Sequence, residues 1–308
     1  MKQRVLAGAA LAAALTASYA VSTGVPASAA STPERVTAAR QPLTGEAVYF
    51  DFSHNRFTVD HYVPGKGFAR LAQPSDNFQF SASPDGKKVA WITAAGKVLV
   101  KDGAKVTTVS KGAQGGAPCL TPTWSPDSKR VAFGVAGDDV MVVNADGTGA
   151  HKAGRTAGVC HLAWSGDGRY LAGYTGEADA IYKLDLTTGK AAKVRGVKDY
   201  VVHVQSLSPD GRKVIAETMP RSSTELGDGG WPSWFTPAVI DTATGRKTPI
   251  PVTGKLIGAF YQADGRLVVR VAGSGHNTLV VLDEAGKELQ RLDEPARAKK
   301  QALLRVVA

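Results

Sequence analysis

Several things are missing from this 308-residue chain, and each absence excludes something. Beyond residue 29 no stretch is apolar for long enough to cross a bilayer as a helix. There is no G-x-S-x-G nucleophile elbow, no H-E-x-x-H, no C-x-x-C and no phosphate-binding P-loop, so the common sequence-legible hydrolase, metalloprotease, redox and nucleotide sites are not written here. Cysteine occurs twice, at Cys119 and Cys160, too sparsely for a disulfide-framed miniprotein. Charged residues make up 21% against 43% hydrophobic, which excludes a disordered chain.

What is present begins with an export signal. "MKQR" is a basic start, "VLAGAALAAALTASYAV" an Ala-rich apolar run, and "ASA" at Ala27 to Ala29 a small-residue cleavage site. No Arg pair precedes the run and no Cys follows it, which points to ordinary secretion and a secreted, extracellular product. Residues 1–29 are read as a signal peptide, 30–42 as a linker and 43–308 as the folded domain. Losing Lys2 and Arg4 lowers the formal charge from +10 to +8. Such a basic surface keeps the protein soluble and attracts anionic polymers.

The folded part repeats itself. "FSASPDGKKVAW", "PTWSPDSKRVAF", "LAWSGDGRYLAG", "QSLSPDGRKVIA" and a weaker "AFYQADGRLVVR" align on Asp85, Asp127, Asp167, Asp210 and Asp264, and Thr44 fits the same column. The spacings are 41, 42, 40, 43 and 54, a period typical of repeat architectures. Four positions after the turn residue stand Val48, Val89, Val131, Leu171, Val214 and Val268; the next column holds Tyr49, Ala90, Ala132, Ala172, Ile215 and Val269. Adjacent apolar columns predict strands buried on both faces. Pro, Asp and Gly in "SPDG" predict a tight hairpin, with Gly in the left-handed position. A second hairpin follows in every repeat, for example "VLVKDGAKVTTV". Each repeat is therefore four antiparallel strands, A to D, and six repeats predict an all-β, six-bladed β-propeller.

At "SPDGKKVAW" and "VVNADGTG" the chain resembles the repeats of TolB-type propellers, over roughly Thr44 to Leu292. The resemblance implies the propeller fold. It does not carry an activity with it, since one fold hosts many. The α/β domain of TolB itself and the hydrolase domain of the related peptidases are not expected here.

Antiparallel order puts the A–B and C–D turns on one face of the disk. That turn face is basic, with Lys87, Lys129, Arg169, Arg212 and Arg266 followed by Lys88, Arg130 and Lys213, a pattern that discourages edge pairing. The opposite loop face receives His54, Asp138, Asp139, Glu177, Asp179 and His276. His161 and His203 start A strands near the channel mouth. The 54-residue repeat carries an insertion, Thr218 to Pro237, with Trp231, Trp234 and Phe235. Long aromatic loops either bind or cap a neighbouring blade. No metal-ligand spacing occurs, and Asn144 to Gly149 lacks the acids of a calcium loop.

These features predict a non-catalytic binding or scaffold module, without cofactor or metal. Its candidate contacts are Trp231, Trp234, Phe235, His161, His203, His54 and His276. The expected partner is an extracellular protein, peptide or cell-envelope polymer, not nucleic acid, and the chain is expected to be a monomer. The alternative is a propeller lyase or hydrolase with its site at the channel mouth. Cys119 and Cys160 begin the A strands of adjacent blades, so a disulfide is expected there, against the alternative of two buried thiols. Ring closure is expected from "ALLRVVA", Ala302 to Ala308, as the inner strand of the first blade, against the competing choice of "RVTAARQ", Arg35 to Gln41.

Overall fold

A computed structural model describes residues 41–54, 56–74, 79–227 and 229–308. The expected signal segment, and "RVTAARQ" up to Arg40, lie outside the described residues. Within them the strands form six antiparallel sheets of four, the blades of a six-bladed propeller. Each sheet boundary is filled by one apolar cluster shared with the next blade. The adjacent apolar columns explain this directly. Val89 faces blade 1 and Ala90 faces blade 3, so one strand feeds two cores.

The inner strands are Phe80–Ala82, Thr123–Trp124, Val159–Trp164, Tyr200–Leu207 and Leu256–Tyr261 in blades 2 to 6. Blade 1 takes its inner strand from the far end of the chain. Ala302–Val306 pairs antiparallel with Ala47–Ser53, Val306 opposite Ala47 and Ala302 opposite Phe50. This clasp is fastened by a buried ion pair, Arg270 Nε to Glu294 at 2.8 Å. Arg270 also donates to the carbonyls of Gln301 and Ala298, holding the 3-10 turn Ala296–Lys300 that leads into the closing strand. Gln290 grips Leu43 through both its amide nitrogen and its carbonyl, tying the start of blade 1 to the outer strand of blade 6.

The repeated turn contains a device that the Pro-Asp-Gly reading omits. Ser83 Oγ donates to Asp85 and accepts from the Lys88 N–H, and Ser125, Ser165 and Ser208 repeat both bonds. The serine thus shuts the hairpin from inside. In the third blade Ser128 occupies the left-handed glycine position at φ 59°, and its hydroxyl accepts from the Asp85 N–H of the blade before.

The alignment of the first and last repeats needs correction by one residue. Val48 and Val268 face the following blade, as Ala90 does, not the preceding one as Val89 does. In blade 6 the reason is turn length: in blade 2 the Ser83 N–H donates to Lys88, five residues on, whereas in blade 6 the Gln262 N–H donates to Arg266, four on. Blade 1 has no such turn, because its inner strand comes from the other end of the chain and the Val307 N–H donates across to Glu46, so the repeated turn does not fix its register.

Candidate functional site

The loop-face end of the channel is built from residues far apart in sequence. His161 and His203 come from the inner strands of blades 4 and 5, and both are buried. Their Nδ1 atoms lie 2.7 Å apart. The proton order follows from the partners. Gln205 Oε1 accepts from His203 Nε2 at 2.8 Å, which makes His203 Nδ1 a lone pair. His161 Nδ1 faces that lone pair, and the His161 ring also has the Gly229 backbone as a hydrogen-bond partner, which favours its protonated form against the effect of burial.

Both imidazoles are held neutral. Burial, and then the neighbouring His203, push His161 well below the ordinary histidine range. Burial pushes His203 down to about 4, against the opposing bond to Gln205. A charge placed in this enclosure would lose its hydration without gaining a counter-ion.

The insertion supplies the lid. Trp231 stands 5.2 Å from the His161 ring and 4.8 Å from the His203 ring, and Phe235 is 4.8 Å from His203. Trp231 also packs on the apolar cluster between blades 1 and 2, across the ring from the histidines. It therefore spans the channel and plugs it. The loop is fastened on its flanks: Arg221 donates to the carbonyls of Lys198 and Asp179 and stacks on Tyr200 at 4.5 Å, and the Phe235 N–H donates to Ile257. Gly229 lets the loop approach the neighbouring blade: at φ +74° it faces Cys119, whose Cβ would lie 3.0 Å from an added methyl.

Cys119 and Cys160 are joined in a disulfide, with Cα atoms 4.9 Å apart. The His161 N–H donates to the Cys119 carbonyl, so the bond and the histidine pair belong to one assembly. Beside it lies a cleft of about 260 Å³, lined by Tyr174, Glu177, Val202, Leu226 and Gly227 as well as the two cysteines.

The remaining candidates are not part of this cluster. His54 is exposed on its own turn at φ 52°. His276 is exposed and pairs with Asp293 at 3.2 Å. Asp139 is taken by Lys152 and Arg155, which lower its carboxyl, and Asp179 by Thr175 and then Lys193. Trp234 is the exception among the insertion's rings: it is 48% exposed. Among the described residues no three His, Cys, Asp or Glu side chains converge as a metal site would require. Sequence reasoning missed Gln205, which sets the tautomers, and Glu217, whose carboxyl is raised by burial under the insertion and accepts from the Thr236 N–H. A polar residue two places after His203 on an inner strand was the available signal for Gln205.

Comparison with known proteins gives a fold. No family model and no curated protein matches the chain. Among solved structures it is similar to TolB from Acinetobacter baumannii, at 17% identity and a TM-score of 0.52, over 84% of this chain and 66% of that one. It is also similar to a chain of the nidogen/laminin complex, at 9% identity and a TM-score of 0.51, over 85% of this chain and all of that one. The chain thus spans just under two thirds of the TolB chain. At these identities the likeness is one of architecture.

Proposed function

We propose that this protein is an exported, non-catalytic binding scaffold whose loop face engages an extracellular protein, peptide or cell-envelope polymer. One observation carries the reading. The insertion Thr218 to Pro237 buries Phe235 and packs Trp231 into the channel, while it holds Trp234, from the same fastened loop, out in solvent. A large ring presented on a rigid mount loses little conformational freedom on binding, which is how aromatic anchors contribute most at interfaces. The disulfide supports export, because such bonds persist in oxidising compartments. The similar chain in the nidogen/laminin complex shows the architecture in a protein–protein assembly.

A lyase or hydrolase site at the channel mouth would need polar groups gathered around a histidine that solvent can reach. Around this pair stand mainly the rings of Trp231, Phe235 and Tyr174, which favour the binding reading. The test is capture from culture supernatant and isolated cell wall with the mature chain and with a Trp234→Ala variant. The reading predicts one or more species retained by the first and reduced by the second. No difference between the two would overturn it.

A further inference from the structure

Between blades 5 and 6 the turn face opens into a cleft of about 450 Å³. Two departures from the repeat meet there. The outer strand of blade 5, Lys247–Thr248, has two residues, whereas those of the other blades have four to seven. The A–B turn of blade 6 is the shortened one, closed by the Gln262 N–H on Arg266. Thr248 and Gly265, one from each departure, both line the cleft. The strand stops because Pro249 and Pro251 have no N–H with which to extend the ladder. Pro251 rests instead against the C–D turn of blade 6, its ring 3.0 Å from where a Cβ on Gly286 would stand.

The floor of the cleft is the open edge of the core between the two blades. Val239, Leu267 and Leu282 are buried members of that cluster, and Ile250 and Tyr261 pack against it half-buried. The rim is acidic. Asp210 comes from the A–B turn of blade 5, and Asp283 and Glu284 come from the C–D turn of blade 6, against one cation, Lys213.

The bonds that hold two of these acids in their turns fall on one oxygen of each. The Ser208 hydroxyl and the Arg212 N–H donate to Asp210 Oδ1, and the Ala285 and Lys287 N–H groups donate to Asp283 Oδ1. Asp210 Oδ2 is 3.6 Å from the largely exposed Arg212. Glu284 leans over the turn of blade 6, with Oε1 2.6 Å from where a Cβ on Gly265 would stand. The charge of Asp210 is felt inside the cleft: burial, and then Asp210, push the Tyr261 phenol up to about 12.

We propose that this cleft is a binding site for a small organic cation, a primary ammonium carried on an apolar body. Its volume is in the range of small-molecule sites. The body covers Val239, Ile250, Leu267 and Leu282, and the ammonium meets Asp283 and Glu284 at the rim, with Asp210 opposite on blade 5. Three carboxylates against one ammonium select a cation over a neutral or anionic ligand of the same shape. A charge kept at the rim while its body is buried avoids the cost of full desolvation. The cleft shares no residue with the insertion Thr218 to Pro237, so it stands or falls independently of the binding reading above.

The test titrates the purified chain with phenethylamine, phenethyl alcohol and hydrocinnamate by calorimetry, at neutral pH and matched ionic strength. The three share a phenyl body and differ in charge. The amine should bind roughly tenfold more tightly than the alcohol, the usual value of a charge-assisted bond, and the carboxylate should not bind. Added salt should weaken the amine and leave the alcohol unchanged. Asp283→Asn with Glu284→Gln keeps the shape of the rim and should bring the amine down to the level of the alcohol. Glu284 is exposed, so Glu284→Gln alone guards against a folding failure and should show part of the same loss. Ile250→Ala takes away floor instead of charge and should weaken amine and alcohol together. No binding of the amine, equal binding of the alcohol or the carboxylate, or undiminished affinity in the folded rim variants would overturn the proposal.

Discussion

Nδ1 of His161 lies 2.7 Å from Nδ1 of His203, inside a cage that gives neither ring a carboxylate. Acid must therefore work against the fold here. Both histidines are depressed in the folded state, so between their folded values and the unfolded value near 6.5 the unfolded chain binds more protons. Stability should rise with pH through this window and fall on acidification from about pH 6.5 toward 4. The loss from His203 alone is on the order of 3 kcal/mol. Denaturant midpoints measured from pH 8 to pH 4 check it, and a flat profile down to pH 4.5 would contradict the neutral pair.

The two tryptophans of the insertion should separate. Trp231→Ala removes the channel plug and should cost about 3 kcal/mol. Trp234→Ala should change stability by no more than about 0.5 kcal/mol while reducing partner capture. Urea melts together with pull-downs distinguish them, and equal destabilisation by both would refute the division of roles.

The bond between Cys119 and Cys160 closes a loop with a sequence separation of 41. In the chain-entropy picture it stabilises by about 3–4 kcal/mol. Thiol titration of the unfolded, unreduced chain should find no free thiol. Reduction, or Cys119→Ser with Cys160→Ser, should lower the melting temperature clearly.

Export predicts a mature chain that starts at or just after Ala30, following cleavage at "ASA". N-terminal sequencing of the protein from culture medium reads this directly. A start at Met1 on the extracellular protein would falsify it.

Ring closure rests on Ala302–Val306. Deleting residues 302–308 would strip the inner strand from blade 1, expose the edge of Ala47–Ser53 and remove Gln301's neighbours from the Arg270 clasp. A large drop in melting temperature is expected, and an unchanged one would show that the ring closes without this strand.

Much of this was legible along the chain. A turn written five times at a period near forty, with two adjacent apolar columns after it, determines a blade with two buried faces, because each strand must satisfy cores on both sides. The same spacing put Cys119 and Cys160 within one residue of matching places on neighbouring blades, although Cys119 lies in a turn ahead of its inner strand and Cys160 within its own. What repetition could not carry is whatever departs from it. The one-residue shift of Val268 comes from a shortened turn and that of Val48 from the absence of any turn where the chain end closes blade 1, and no column shows either when the apolar pattern is continuous on both sides. Trp231 reads in sequence as one ring of an irregular loop; only the closed ring brings it against His161, His203 and the cluster of blades 1 and 2 together. Arg305 reads as a single charge in a terminal apolar strand. Its place is decided by tertiary structure, because the strand joins the first blade rather than following the sixth, and so sets Arg305 opposite Val48 at a position whose equivalents in the other blades are neutral.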